Sequence, residues 1–482
     1  MSTHPAASIA ATAAVLVASA GGVSEAAAQG YAELAAAVRE YVAVSAPVVA
    51  LARVRVIDGT GKPPAEEQTI LIDHGRIAAV GRAVEIKIPS QAQVLDLAGH
   101  TVIPGIVGVH NHTFYMTQAD RLIQSNYSAP RLYLANGVTT IRTTGSFSTY
   151  SELNLKRAIQ AGQVPGPRMH VTGPFITGGN HPGFMALVAS PDAARRFVDY
   201  WAEEGVTSFK FYMNVSRATM KAAIDAAHAR GLKLTGHLCS VTYDEAVAMD
   251  IDNLEHGFIG NSGWAEGKKP DECPRNFFES LAKAEVESEP VRATIRVLVE
   301  RRVPITSTLA AYETLVPNRQ PMRQNMLDVT APDAQREYLQ SRVRIDAGEG
   351  FRIAPDLFRK MQAFETAFVE AGGVLAAGCD PGSNGAAIFG FTDLRNYELL
   401  LEAGLTPVLA IRIMTLNGAE VLGVHNELGS ITPGKIADLV VIGGNPAADP
   451  ADIHKVTTVF KDGVGYNSAS LIASVAGQVG IR

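Results

Sequence analysis

The rhythm of hydrophobic and polar positions changes twice along the chain. VVALARVRVI at 48–57 and TILI at 69–72 carry strand patterns, and the turn DHGRI at 73–77 leads into another short apolar piece, AAVG. A similar texture returns near the C-terminus in IADLVVIGG and TTVFKDG. Between these flanks, strands alternate with helices. Strands are predicted at GVTTIR (137–142), MHVTG (169–173), VTSFKFY (206–212), LKLTGH (232–237), DNLEH (252–256), VPITST (303–308) and GVLAAGCD (373–380). Helices are predicted over 151–162, 192–205 and, after Ser216, 217–231. Thr242 and Glu245 form a capping-box pattern that opens a further short helix. Counted from VIPGIVGVH at 102–110, the strands number eight, which predicts an α/β fold of the (β/α)8 barrel type rather than an open sheet.

Barrels of this kind carry their chemistry where strands end. The polar residues at those ends are His110 and His112 on the first strand, Lys210 on the fourth, His237 on the fifth, His256 on the sixth and Asp380 on the eighth. In the run HNH, residues two apart on a strand point to the same side, so His110 and His112 face one point while Asn111 faces away. Each of the six has a plainer reading alone. A histidine at a strand end is more often a hydrogen-bonded loop residue, and Asp380 ahead of Pro381 and Gly382 begins a turn. Six such residues at strand ends, in strand order along the chain, make a metal site the better account.

Composition narrows the chemistry. The net charge of -6, with both signs interspersed and no basic patch, argues against a nucleic-acid footprint. The three cysteines, Cys239, Cys273 and Cys379, form no CxxC pairing and support neither a disulfide framework nor a cysteine–zinc site, leaving histidine and oxygen as ligands. Residues 1–28 combine an alanine-rich apolar stretch with the small residues Ala26, Ala27 and Ala28 ahead of Gln29. This resembles a cleaved signal peptide and predicts a periplasmic or secreted protein, although basic residues ahead of the apolar run are missing. No other segment approaches the ~18 apolar residues of a membrane span.

Taken together, HNH, the lysine in FKFY, the histidines in TGHL and LEHG and the aspartate in GCDPG resemble, in order, the ligand pattern of the amidohydrolase superfamily. The run LGSITPGKIADLVVIGGNP resembles that family's returning β-domain segment. The nearest resemblance is to bacterial imidazolonepropionase-like and prolidase-like hydrolases. It implies a small β-sandwich domain built from residues 48–101 and 419–482 around a barrel at 102–418. It further implies one divalent ion held by His110, His112 and Asp380 and a second held by His237 and His256. Carboxylated Lys210 would bridge the two. The plain alternative for Lys210 is a salt-bridging lysine, disfavoured because an unpaired ammonium on the apolar strand SFKFY is costly. Nitrogen and oxygen donors suit zinc.

The implied reaction is hydrolysis by a hydroxide shared between the metals, with Asp380 passing the proton to the leaving amine. Tyr212, on the same strand face as Lys210, either stabilises the oxyanion or packs the barrel mouth. His181, in the loop GGNHPGF, either contacts substrate or braces that loop. Where family members often carry an acidic residue just before the paired histidines, this chain has Gly108. The loop after His256, with Trp264, and the stretch from about 316 to 352 are expected to cover the site and select substrate. The expected substrate is a small molecule, a dipeptide or an N-acyl amino acid, and a homo-oligomer is allowed. The alternatives are hydrolysis of a cyclic amide, carbamate or ester-like bond by the same site, and a catalytically silent barrel with a structural or metal-storage role.

Overall fold

The structure, a computed structural model, describes residues 29–117, 121–179, 183–319, 322–381 and 385–481. The leader at 1–28 and His181 lie outside the described residues.

Eight parallel strands form the barrel: β1 Ile106–Asn111, β2 Val138–Thr143, β3 Arg168–Val171, β4 Ser208–Phe211, β5 Lys233–Gly236, β6 Asn253–Glu255, β7 Ile305–Ser307 and β8 Leu375–Ala377. Hydrogen bonds run continuously through β3–β2–β1 and through β4–β5–β6–β7–β8. A bridge between Thr172 and Ser208 joins β3 to β4. Beyond β8, the Asp380 N–H donates to the His110 carbonyl at 2.9 Å and ties that end to β1. This approach requires Gly378, because a Cβ there would lie 2.4 Å from the His110 nitrogen.

The helices between strands begin and end where local chemistry dictates. Pro191–Glu204 starts at Ser190, whose side chain accepts from the Ala193 N–H, and stops at Gly205 in the left-handed conformation. Arg217–His228 is capped by Ser216, and the Thr242–Glu245 capping box opens Tyr243–Ala248. Apolar faces of these helices pack against the outer faces of the strands, as Val198, Phe209 and Ile224 do within the main core.

A second domain is built on a nine-stranded sheet, ordered Val42–Val44, Val464–Asn467, Val456–Lys461, Leu439–Ile442, Thr101–Pro104, Val48–Val56, Ala65–Asp73 and Arg76–Arg82, with Gln93–Asp96 also paired to Val48–Val56. Arg76, on the end strand, bridges Ile436 just ahead of Leu439–Ile442. The sheet therefore folds over on itself around a core that includes Leu51, Ile70, Val102, Leu439 and Phe460.

Several expectations need correction. VIPGIVGVH is not one strand. It divides at Gly105, with Thr101–Pro104 pairing in the outer sheet and Ile106–Asn111 in the barrel. A Cβ at Gly105 would meet Thr139 Oγ1 at 2.2 Å, so glycine permits the close passage between the two sheets. The β-domain also takes in Val42–Val44, ahead of residue 48. Beyond its last strand the chain leaves the sheet: helix Ser468–Ala473 packs on Ser128–Ala135, and Val479 bridges Thr330. Cys239 and Cys273 are joined by a disulfide, with Cα atoms 4.9 Å apart. Their separation of 34 residues matches no local motif, and only the return of the chain past the end of β5 brings them together. The stretch near 316–352 holds two helices, Gln324–Val329 and Pro332–Asp346. Among the described residues, no helix is long and apolar enough to cross a membrane.

Candidate metal centre

All six strand-end residues of the sequence pattern converge at one end of the barrel. His110 and His112 end β1 on the same side, as two-residue periodicity demands, and their rings sit 5.5 Å apart. Lys210 projects from β4, with Nζ 2.9 Å from His110 Nε2. The His237 and His256 rings, following β5 and β6, are 4.4 Å apart, and the His256 ring is 4.7 Å from that of His110. Asp380 follows β8, with Oδ1 at 3.2 Å from His112 Nε2 and 3.7 Å from His110 Nε2, and Oδ2 at 3.9 Å from His256 Nδ1. His256 (φ 69°) and Asp380 (φ 40°) are both held in the left-handed region. That conformation costs a non-glycine residue about 1–2 kcal/mol, a penalty met where a turn must aim a side chain into the barrel mouth.

The ring nitrogens are sorted by partners behind the site. His110 Nδ1 meets Glu255 Oε2 at 2.7 Å, His112 Nδ1 faces the Gly145 carbonyl at 3.2 Å and His256 Nδ1 meets Thr308 Oγ1 at 2.8 Å. Each contact leaves Nε2 of the same ring to the opposite side, the arrangement that orients histidine ligands. Glu255 is buried but well matched. Arg142 Nη2 donates to its Oε1 at 2.8 Å, and the Thr235 hydroxyl also bonds to it. Burial opposes its ionisation, yet His110 and Arg142 hold its carboxyl down at about 2.

Burial also sets the charge state of the rest. It lowers His112 to about 4, His237 to about 3 and His256 well below the ordinary range, so these rings are neutral with lone pairs available. It lowers the Lys210 amine to about 8, closer to its unprotonated form. Burial works against the Asp380 carboxylate, but the neighbouring His110, His112 and His256 keep it well below the usual carboxylate range.

The donor set fits a divalent ion. One ligand atom each from His110, His112 and Asp380 lies within 4.8 Å of the other two. His256 Nε2 is buried with no hydrogen-bond partner among the described residues, an arrangement that a ligated cation would satisfy.

Above this floor is a cavity of about 340 Å3. Phe114, Phe175 and Phe184 form one aromatic wall, and Tyr312, Phe278 and Phe351 line it from other segments. Tyr212 lines the cavity between floor and wall, its ring 5.0 Å from that of His237 and 6.1 Å from that of Phe175. Burial raises its hydroxyl pKa, keeping it a neutral donor. Trp264 does not reach the cavity. It stacks on Phe258, with ring centroids 4.9 Å apart, and packs on Phe364. Of the stretch from 316 to 352, Phe351 is the residue in the described lining.

A model of the amidohydrolase family matches residues 101–262 and 359–465. The chain belongs to the amidohydrolase family. These two segments carry all six strand-end residues. An adenine deaminase of Clostridium botulinum is 44% identical over 63 residues, and the chain spans only 10% of that protein's length. An imidazolonepropionase of Streptomyces griseus is 24% identical over 457 residues, covering 85% of this chain and 93% of that protein. Among solved structures, a Xaa-Pro dipeptidase with bound methionine in the active site has the same fold, with a TM-score of 0.65 at 19% identity over 87% of this chain and all (100%) of that one.

Sequence reasoning missed the residues behind the ligands. Glu255 immediately precedes His256 and is a charged residue inside a short buried strand, a signal that could have marked it. Asn111 faces away from the metals as expected and there ties β1 to helix Phe391–Glu402 and to the end of β8: its side chain donates to Asp393 Oδ1 at 3.1 Å and accepts from the Cys379 N–H at 3.0 Å. A side chain at Gly108 would collide with it, the Cβ lying 2.5 Å from Asn111 Nδ2.

Proposed function

We propose that the protein is a metal-dependent hydrolase of amide bonds in small peptide-like substrates, the class that includes dipeptides and N-acyl amino acids. The observation that carries this reading is the convergence of four histidine rings, a lysine amine and a carboxylate around one point beneath the cavity. The Xaa-Pro dipeptidase likeness supports the choice of amide bonds. His110, His112 and Asp380 would hold one ion, His237 and His256 a second, and Lys210, carboxylated on its amine, would join them. Divalent ions at these ligands, zinc by donor chemistry, supply polarisation of the carbonyl and a water of lowered pKa.

The chain's own residues do the rest. The neutral Tyr212 hydroxyl donates to the oxygen on which charge develops. Asp380, ionised in its histidine surroundings, takes the proton released from water and delivers it to the departing nitrogen, so the amine leaves neutral. Glu255 and Arg142 keep His110 oriented. Elemental analysis should find close to two divalent ions per chain, and the loaded protein should turn over members of a panel of dipeptides, N-acyl amino acids and neutral amides. A single ion at saturation, or a metal-loaded protein inert to every amide, would overturn the reading.

Export belongs to the same proposal. The signal-like leader supports it, and the Cys239–Cys273 disulfide suits an oxidising compartment. N-terminal sequencing of protein made in a secreting bacterium should start close to Gln29, whereas a chain retaining Met1 in the cytoplasm would count against it.

A further inference from the structure

The cavity over the metal centre is apolar on both flanks. Phe114, Phe175, Phe184 and Met185 make one wall, and Phe278 packs on Phe351 at the other side, with ring centroids 5.3 Å apart. Its charged or titratable lining residues, the two tyrosines apart, are His112, Lys210, His237 and Asp380, each a strand-end residue assigned to the metals. The ionic groups of the described lining are thus committed to the floor, and among the described residues the side chains of the walls offer a substrate carbon, sulfur and the hydroxyls of Tyr212 and Tyr312.

From this division we infer that the site selects neutral amides bearing bulky apolar groups on both sides of the scissile bond, and discriminates against substrates with a free carboxylate next to the leaving nitrogen. The inference rests on the amide-hydrolase reading and ranks its substrates: neutral amides stand ahead of dipeptides and N-acyl amino acids, whose leaving nitrogen has a carboxylate beside it. A benzoyl- or phenylalkyl-sized group loses little hydration and gains contact with the aromatic walls of a cavity of about 340 Å3. A carboxylate against those walls would be stripped of water, and no cationic side chain of the described residues lines them. To stay hydrated it would have to reach past Phe351, which is 58% exposed and marks the cavity's edge. The chemistry balances as simple hydrolysis. The C–N bond breaks, a C–O bond forms from water, and Asp380 carries the water's proton to the neutral amine, leaving an apolar acid and an apolar amine.

The test uses pairs that share an acyl group and differ only at the far end. For the metal-loaded protein, kcat/KM for N-benzylbenzamide should exceed that for N-benzoylglycine by at least about ten-fold. An equal or larger value for N-benzoylglycine would overturn the inference. Binding separates this from failure of the hydrolase reading. The ketones 1,3-diphenylpropan-1-one and 4-oxo-4-phenylbutanoate replace the amide nitrogen by carbon and cannot be hydrolysed. Calorimetry should give the neutral ketone at least about ten-fold tighter binding, even if no amide is turned over. Equal or tighter binding of the carboxylate would refute the assignment of the walls, whatever the turnover.

Discussion

The floor and the walls of the cavity are built on opposite principles. On the floor, polar side chains are buried and held from behind: Glu255 on His110, the Gly145 carbonyl on His112 and Thr308 on His256. The walls hold almost nothing by hydrogen bonds. Phe114, Phe175, Phe184, Phe278 and Phe351 come from the segments that follow strands, and they meet edge-to-face or at tilted angles. Placement on the floor is tight because a buried unpaired polar atom is costly, so each ligand has one orientation in which its free nitrogen faces inward. Placement on the walls is loose because apolar contact is non-directional and many aromatic arrangements satisfy it. On the proposed reading, reaction type resides in the floor and substrate choice in the walls.

The sharpest way to break this comparison is to remove a floor residue. Lys210→Ala should lower turnover by at least about a thousand-fold and reduce metal content, with partial rescue by a short carboxylic acid supplied in solution. Near-normal turnover without additive would remove Lys210 from the metal site and leave the floor one residue smaller. Tyr212, standing where the two regions meet, gives the next largest effect. If it belongs with the floor as a donor, Tyr212→Phe lowers kcat and kcat/KM together by roughly tens- to thousand-fold with full metal content. If it belongs with the walls, steady-state kinetics of the variant will match those of the native protein.

The smallest effect compares two buried carboxylates near the floor. Glu255 is matched by His110 and Arg142 and held at about 2. Glu152 accepts from the Thr113 hydroxyl at 2.9 Å, its Oε2 has no hydrogen-bond partner among the described residues, and burial pushes it up to about 7 from an ordinary 4.5. A carboxyl raised on folding contributes stability that is complete below the unfolded value and lost as pH climbs through the folded one. The native protein should therefore lose stability between about pH 4.5 and about pH 7 on this account. Glu152→Gln should gain roughly 2–4 °C in Tm relative to the native protein between about pH 5 and about pH 7.5. Thermal melts with a pH-independent difference would show that Glu152 is charged like Glu255.

By itself, the sequence determined the elements and the chemistry placed at their ends. The alternation of apolar strands with capped helices, and the two-residue period of HNH, act over a few residues and so can be read locally. For the same reason the six strand-end residues were legible: each ends or nearly ends its own apolar run, and their strand order follows the chain. Only the tertiary structure decided what depends on distant partners. His110 meets Glu255 across 145 residues, and Asn111 reaches Asp393 across 282. The division of VIPGIVGVH at Gly105 needed Thr139 to be packed against it, and the pairing of Cys239 with Cys273 needed the loop after β6 to return beside the end of β5. The apolar walls were hidden for the same physical reason. A phenylalanine in a loop carries no periodicity to say which way it faces, and only the closed ring of strands brings five of them around one cavity.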